Sequence, residues 1–210
     1  VDGDPHIIKE VTPLVDLFEV RIDLIGDGWE KLAGQLAKPW IACNRIVKEG
    51  GRWRGTEEAR IAALFRALDL GAAIVDIELA TPDINKVVSA IKGRAKCLIS
   101  YHDLKRTSTV DRLRSIIRRE LDAGADIGKV VTTARDFADN LRILQLIPEF
   151  PLSKIVAFAM GEAGAISRVF CPLVGGAFTY AAAKKGREAA PAQLTVGELR
   201  NIYRMLKNGD

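Results

Sequence analysis

No stretch of this sequence is apolar for long enough to cross a bilayer, so membrane contact is not expected. No charged-then-apolar leader opens it either, and the expected compartment is cytoplasmic. Cysteine is scarce: Cys43, Cys97 and Cys171 lie far apart, with no CxxC and no histidine nearby. An odd, scattered set argues against a disulfide framework and predicts three reduced core thiols. No glycine-rich phosphate loop follows an early strand, which weakens a dinucleotide-binding reading. Aromatics make up only 6% of the 210 residues, and none interleaves with the densest basic stretch, "DRLRSIIRRE" (111–120). There Val110, Leu113, Ile116, Ile117 and Leu121 recur at helical spacing, leaving the arginines mostly on a solvated outer face. Stacking on bases would favour aromatics, so no nucleic-acid partner is expected despite the net charge of +4.

What the sequence does contain is an alternation of short β-branched runs with amphipathic stretches. The runs cover 17–25, 40–46, 73–79, 95–102, 128–134, 154–160 and 177–182. Between them lie helix patterns, one N-capped by Thr56 and ending at Gly71, others ending at Gly93 and Gly124, the last opened by the capping box "TVGE" (195–198). Near-continuous apolar strands separated by helices predict a parallel sheet covered by helices. Polar residues choose between an open sheet and a barrel. Glu19, Arg21 and Asp23 share one face of the first run, Asp76 and Glu78 one face of a later run, Ser100 and His102 one face of the next. Several strands aiming charges at one interior near their C-terminal ends predict a (β/α)8 TIM barrel, α/β in class, with residues 1–210 forming a single catalytic domain. Only seven strands can be counted, so the first strand is expected to precede Val1 and to be lacking in this chain. "PHIIKEVTPLVD" (5–16) is then the first helix.

Lys129 sits in "GADIGKVVTTA" among small and apolar neighbours. An exposed strand lysine is the common case, but these neighbours favour burial. Burial disfavours an ammonium, and a neutral amine can form a Schiff base with a ketone. His102, in "LISYHDLKRT", is one of two histidines. A core histidine with one hydrogen bond and an acid/base histidine near Lys129 are both compatible with the pattern; an imidazole suits proton abstraction and return. "NRIVKEGG" (44–51) brings Arg45 and Glu49 off a strand end into a glycine turn. "MGEAGAISR" (160–168) opens a helix carrying Arg168, a possible clamp for a carboxylate. "EAAPAQL" (188–194) reads as a lid with Gln193 as its polar contact.

In this order, "EVRID" (19–23), "NRIVKEGG", "SYHDL" (100–104), "GADIGKV" (124–130), "MGEAGAISR", "GGAFTYA" (175–181) and "APAQ" (190–193) resemble type I 3-dehydroquinate dehydratase, from about Leu17 to Met205. The resemblance implies a barrel that dehydrates 3-dehydroquinate to 3-dehydroshikimate, with no cofactor and no metal. It implies that Lys129 forms an iminium at the C3 ketone and that His102 takes the C2 proton and returns a proton to the departing C1 hydroxyl, a syn elimination. Glu49 matches the carboxylate that pairs with the histidine, with Asp76 assisting. Glu19 and Arg21 match residues holding ring hydroxyls, Arg45 a further pocket arginine, Arg168 the arginine binding the substrate carboxylate, and Gln193 the lid glutamine. Met160 and Tyr180 are expected to line the pocket, and a homodimer is implied. The lid departs from the family's Ser-Ala-Pro-Gly-Gln: Ala189 removes a hydroxyl that would bond substrate, a loss of roughly 0.5–1.5 kcal/mol, and Ala192 is restrictive if that position needs positive φ. Two other readings share these residues: a class I Schiff-base aldolase using Lys129, and an inactive ligand-binding barrel.

Overall fold

The computed structural model describes residues 4–207; expectations for residues 1–3 and 208–210, and for a strand before Val1, lie outside them. Six strands form one parallel sheet in sequence order: β1 (Phe18–Arg21), β2 (Trp40–Cys43), β3 (Ile74–Glu78), β4 (Lys96–His102), β5 (Ile127–Thr133) and β6 (Lys154–Met160). Nine helices accompany them among the described residues: α1 (Pro5–Val11), α2 (Ile22–Ile25), α3 (Trp29–Ala33), α4 (Glu57–Asp69), α5 (Ile84–Ile91), α6 (Val110–Asp122), α7 (Ala138–Leu144), α8 (Ala165–Leu173) and α9 (Val196–Lys207).

The helices form where the pattern and caps direct. Thr56 accepts from the Ala59 N–H and starts α4. Thr195 and Glu198 exchange hydrogen bonds at the start of α9, closing the capping box. The stripe Leu113, Ile116, Ile117 of α6 is buried against the sheet, each side chain contributing roughly 1.5–3 kcal/mol. All three cysteines are buried thiols, as expected.

The sheet is curled. Lys129 on β5 and Glu19 on β1 lie four strands apart, yet Lys129 Nζ is 3.9 Å from the Glu19 carboxylate. A flat sheet would separate those strands by about 19 Å at the usual strand spacing. The inward faces therefore share one interior, as in a half-closed barrel.

Three expected strands change; the run 40–46 ends as strand at Cys43. The first run holds β structure only to Arg21; Ile22 begins a helical turn, so Asp23 leaves the strand face and instead binds Arg21 through both carboxylate oxygens. The run 177–182 makes no strand. It touches β6 through one backbone bond, Ala177 N–H to Ile155 O, and forms a single bridge between Ala182 and Thr195. A strand needs a partner along its length, and across from this segment a cavity of about 720 Å³ separates it from β1, lined by Phe18, Glu19 and Thr179 to Ala183 among others.

Candidate active site

A cavity of about 410 Å³ opens at the C-terminal ends of the strands. Eleven of the residues singled out from the sequence border it: Glu19 and Arg21 from β1, Arg45 and Glu49 from the loop after β2, His102 from the end of β4, Lys129 from β5, Met160 from the end of β6, Arg168 from α8, Tyr180 from the segment beyond it, and Ala189 and Gln193 from the loop before α9; Asp76 lies beneath it and meets the site through Lys129 and Arg45.

Register explains the convergence. Glu78, Ser100, Lys129 and Val156 are neighbours across β3 to β6, so their side chains leave the sheet on the same side. Lys129 is only 4% exposed. Its Nζ donates to Asp76 Oδ2 at 2.9 Å and to the Tyr180 hydroxyl at 3.1 Å, and lies 4.3 Å from the Tyr180 ring centre. Burial alone would push Asp76 up, but Arg45 and Lys129 outweigh it and hold this carboxyl far below the usual range. Tyr180, buried among carboxylates, stays a neutral phenol because burial pushes its pKa well up.

His102 Nδ1 is 2.8 Å from Glu49 Oε2, and the same oxygen accepts the His102 backbone N–H at 3.1 Å. Burial, with Arg45 and Lys129 nearby, drives the His102 pKa well below its ordinary value, so the ring is neutral at pH 7. With Nδ1–H donating to Glu49, the lone pair sits on Nε2. Burial raises Glu49 to about 7 against the opposing pull of Arg45. The glycine turn holds this carboxylate in place: Gly50 has φ +85°, and a Cβ on Gly51 would lie 1.9 Å from the Arg45 carbonyl oxygen.

Beneath the cavity runs an ion-pair network. Arg45 meets Asp76 at 2.6 Å, Glu78 at 3.2 Å and the Ser100 hydroxyl at 2.6 Å. Arg60, 1% exposed, joins Glu78 at 2.5 Å and Thr81 at 2.9 Å. Arg45 therefore borders the cavity with its guanidinium already committed to carboxylates. Arg60 was not singled out from the sequence. The available signal was position: Arg60 shares the buried face of α4 with Leu64, Ala67 and Leu68.

Arg168 lies over the Phe158 ring at 4.3 Å, and its buried Nε has no partner among the described residues. Burial lowers its pKa to about 10, so it stays cationic at neutral pH. In the lid, Gln193 Oε1 accepts the Ala189 N–H at 2.9 Å, and Ala192 has φ +56°, the left-handed geometry. Glu19, Cys43 and Asp76 place one ligand atom each within 4.8 Å of one another, yet Lys129 already pairs with both carboxylates and burial keeps the thiol protonated. The donor set is a poor match to a metal ion.

Residues 3–210 match the family model described as type I 3-dehydroquinase. The chain is 42% identical over 187 residues to a 3-dehydroquinate dehydratase of Dehalococcoides mccartyi, covering 89% of this chain and 84% of that protein. It is 34% identical to the enzyme of that name from Methanocaldococcus jannaschii, covering 92% and 88%. Among solved structures, the type I 3-dehydroquinate dehydratase of Clostridium difficile, solved with covalently modified comenic acid, superposes with a TM-score of 0.84 at 26% identity over 97% of this chain and 88% of that one.

Proposed function

The chain belongs to the type I 3-dehydroquinase family, and we propose that it dehydrates 3-dehydroquinate, in the shikimate route to aromatic amino acids, through a Schiff base on Lys129. The observation that carries the mechanism is a buried primary amine at an open cavity, with a neutral histidine held by a carboxylate on the adjacent strand end.

Each step follows from the groups present. Lys129 Nζ, once its ammonium proton has passed to water, attacks the C3 carbonyl carbon; the carbinolamine loses water and leaves an iminium. The iminium draws electrons from C2, so His102 Nε2 can take the C2 proton, the C–H electrons forming an enamine. Glu49 stabilises the imidazolium that results. The enamine expels the C1 hydroxyl, which takes the proton from His102 and leaves as water. A second water hydrolyses the iminium, freeing Lys129 and 3-dehydroshikimate. The Tyr180 hydroxyl and ring hold Nζ in place while its charge changes. Arg168, with an unused N–H, takes the substrate carboxylate, and Glu19 and Arg21 take ring hydroxyls. Met160, Ala189 and Gln193 wall the cavity.

Residues 1–210 act here as one catalytic unit, a homodimer of the cytoplasm. The barrel reading extends to the gap beside β1: an extended segment laid between β1 and 177–182 completes the wall.

The test mixes the protein with 3-dehydroquinate, follows the enone absorbance of the product, reduces a parallel sample with borohydride and locates the adduct by peptide mass. Enone with an adduct on Lys129, and loss of enone in His102→Ala, is the expected result. An adduct without enone makes the chain a ligand-capturing barrel; an aldehyde product makes it an aldolase; no adduct on a folded chain overturns the Schiff base.

A further inference from the structure

A second cavity, of about 430 Å³, lies outside the site just described. Arg106, Arg112, Arg135 and Arg142 border it, with Asp136 and Asp139 and the hydroxyl residues 107–109. Asp139 is occupied: it pairs with Arg142 and accepts the Arg135 N–H at 2.8 Å. Among the described residues no carboxylate pairs with Arg106 or Arg112. The start of α6 opens onto the same space. Its N-cap Thr109 makes no side-chain capping bond, and the first intrahelical bond is from Leu113 to Thr109, so among the described residues the N–H groups of 110–112 meet no protein acceptor.

We propose that this cavity binds a small phosphate monoester. Four guanidiniums against two carboxylates leave an excess of two positive charges, which a phosphate dianion matches. The donors, guanidinium forks and a row of free helix N–H groups, outnumber what a carboxylate can accept but suit three phosphate oxygens. The cavity exceeds one phosphoryl group, so the ligand carries a small organic body. It also sits where binding would be felt at the other site. Residues 103–109 follow directly from His102, and Thr107 is bonded to Thr132 and to the carbonyl of Thr133, whose side chain borders the catalytic cavity.

Calorimetry at low ionic strength, with the full chain and glycerol 3-phosphate as probe, tests this binding apart from catalysis. Glycerol is the neutral control. Two double variants lose equal charge: R106A/R112A at the cavity, and R118A/R119A on the exposed face of α6. All four side chains are exposed, so neither variant touches the core. Saturable millimolar or tighter binding, weakened at least tenfold in R106A/R112A and less than twofold in R118A/R119A, is expected. Equal loss in both variants, no saturable heat, or equal binding of glycerol overturns the proposal. Tighter, length-dependent binding of a single-stranded oligonucleotide would overturn it too, assigning the arginines to nucleic acid.

Discussion

Glu49 carries the clearest conflict between stability and catalysis. Burial raises its pKa from about 4.5 in the unfolded chain to about 7. Between those values the folded protein holds a proton that the unfolded chain has released. Stability therefore falls as pH rises from about 4.5 to 7, and the full penalty, roughly 3 kcal/mol, applies above 7. Glu49→Gln removes the titration. Urea unfolding at pH 5 and pH 8 should show the variant gaining on the parent by up to about 3 kcal/mol at the higher pH. Turnover should fall about a hundredfold in the same variant, because an amide cannot stabilise imidazolium. In the parent, activity should decline below pH 7 as Glu49 is protonated, and a pH–rate profile without that acid limb would separate Glu49 from the mechanism.

At the scale of elements, two short loops set the geometry. The turn after β2 needs glycine at Gly51, where a Cβ would strike the Arg45 carbonyl. Gly51→Ala must shift the backbone that carries Arg45 and Glu49. A loss of about 2–4 kcal/mol in unfolding free energy is expected, with impaired turnover. The lid presents the opposite case. Ala192 occupies left-handed geometry, a strain of about 1–2 kcal/mol that glycine would not carry. Because glycine also loosens the unfolded chain, Ala192→Gly should gain less than about 1 kcal/mol overall. Its effect should appear in KM, since a relaxed lid closes over substrate more readily; an unchanged KM would mean that φ at this position does not govern closure. The starts of α4 and α9 were readable in advance. Thr56 and the 195–198 box mark starts through groups that bond within one turn, so neighbours in sequence suffice.

The open side of the sheet dominates at the scale of the whole molecule. Among the described residues β1 pairs on one side only, with a cavity of mixed polar and apolar lining on the other, and a free strand edge attracts other chains. A short β-branched peptide supplied in trans should raise the thermal midpoint in a concentration-dependent way, while a scrambled, proline-containing peptide should not. No shift with either would mean that the edge is closed to strands. Local pattern alone determined the parallel α/β alternation, the helix caps, the buried thiols and the grouping of Asp76 with Glu78 and of Ser100 with His102 on strand faces, because each depends on bonds or periodicity within a few residues. Where pairing was needed, that pattern ran out. Residues 22–25 and 177–182 carry strand-like residues, yet one turns helical and the other stays irregular, since a strand exists only where a neighbour accepts its hydrogen bonds. Only the tertiary structure decided that Lys129 and Glu19 meet across four strands, that Arg60 is buried to pair with Glu78, and that Arg45 is spent on carboxylates. Curling the sheet brings these charges into one low-dielectric interior, where each must find a partner, and the curl is a property of the packed sheet rather than of any segment.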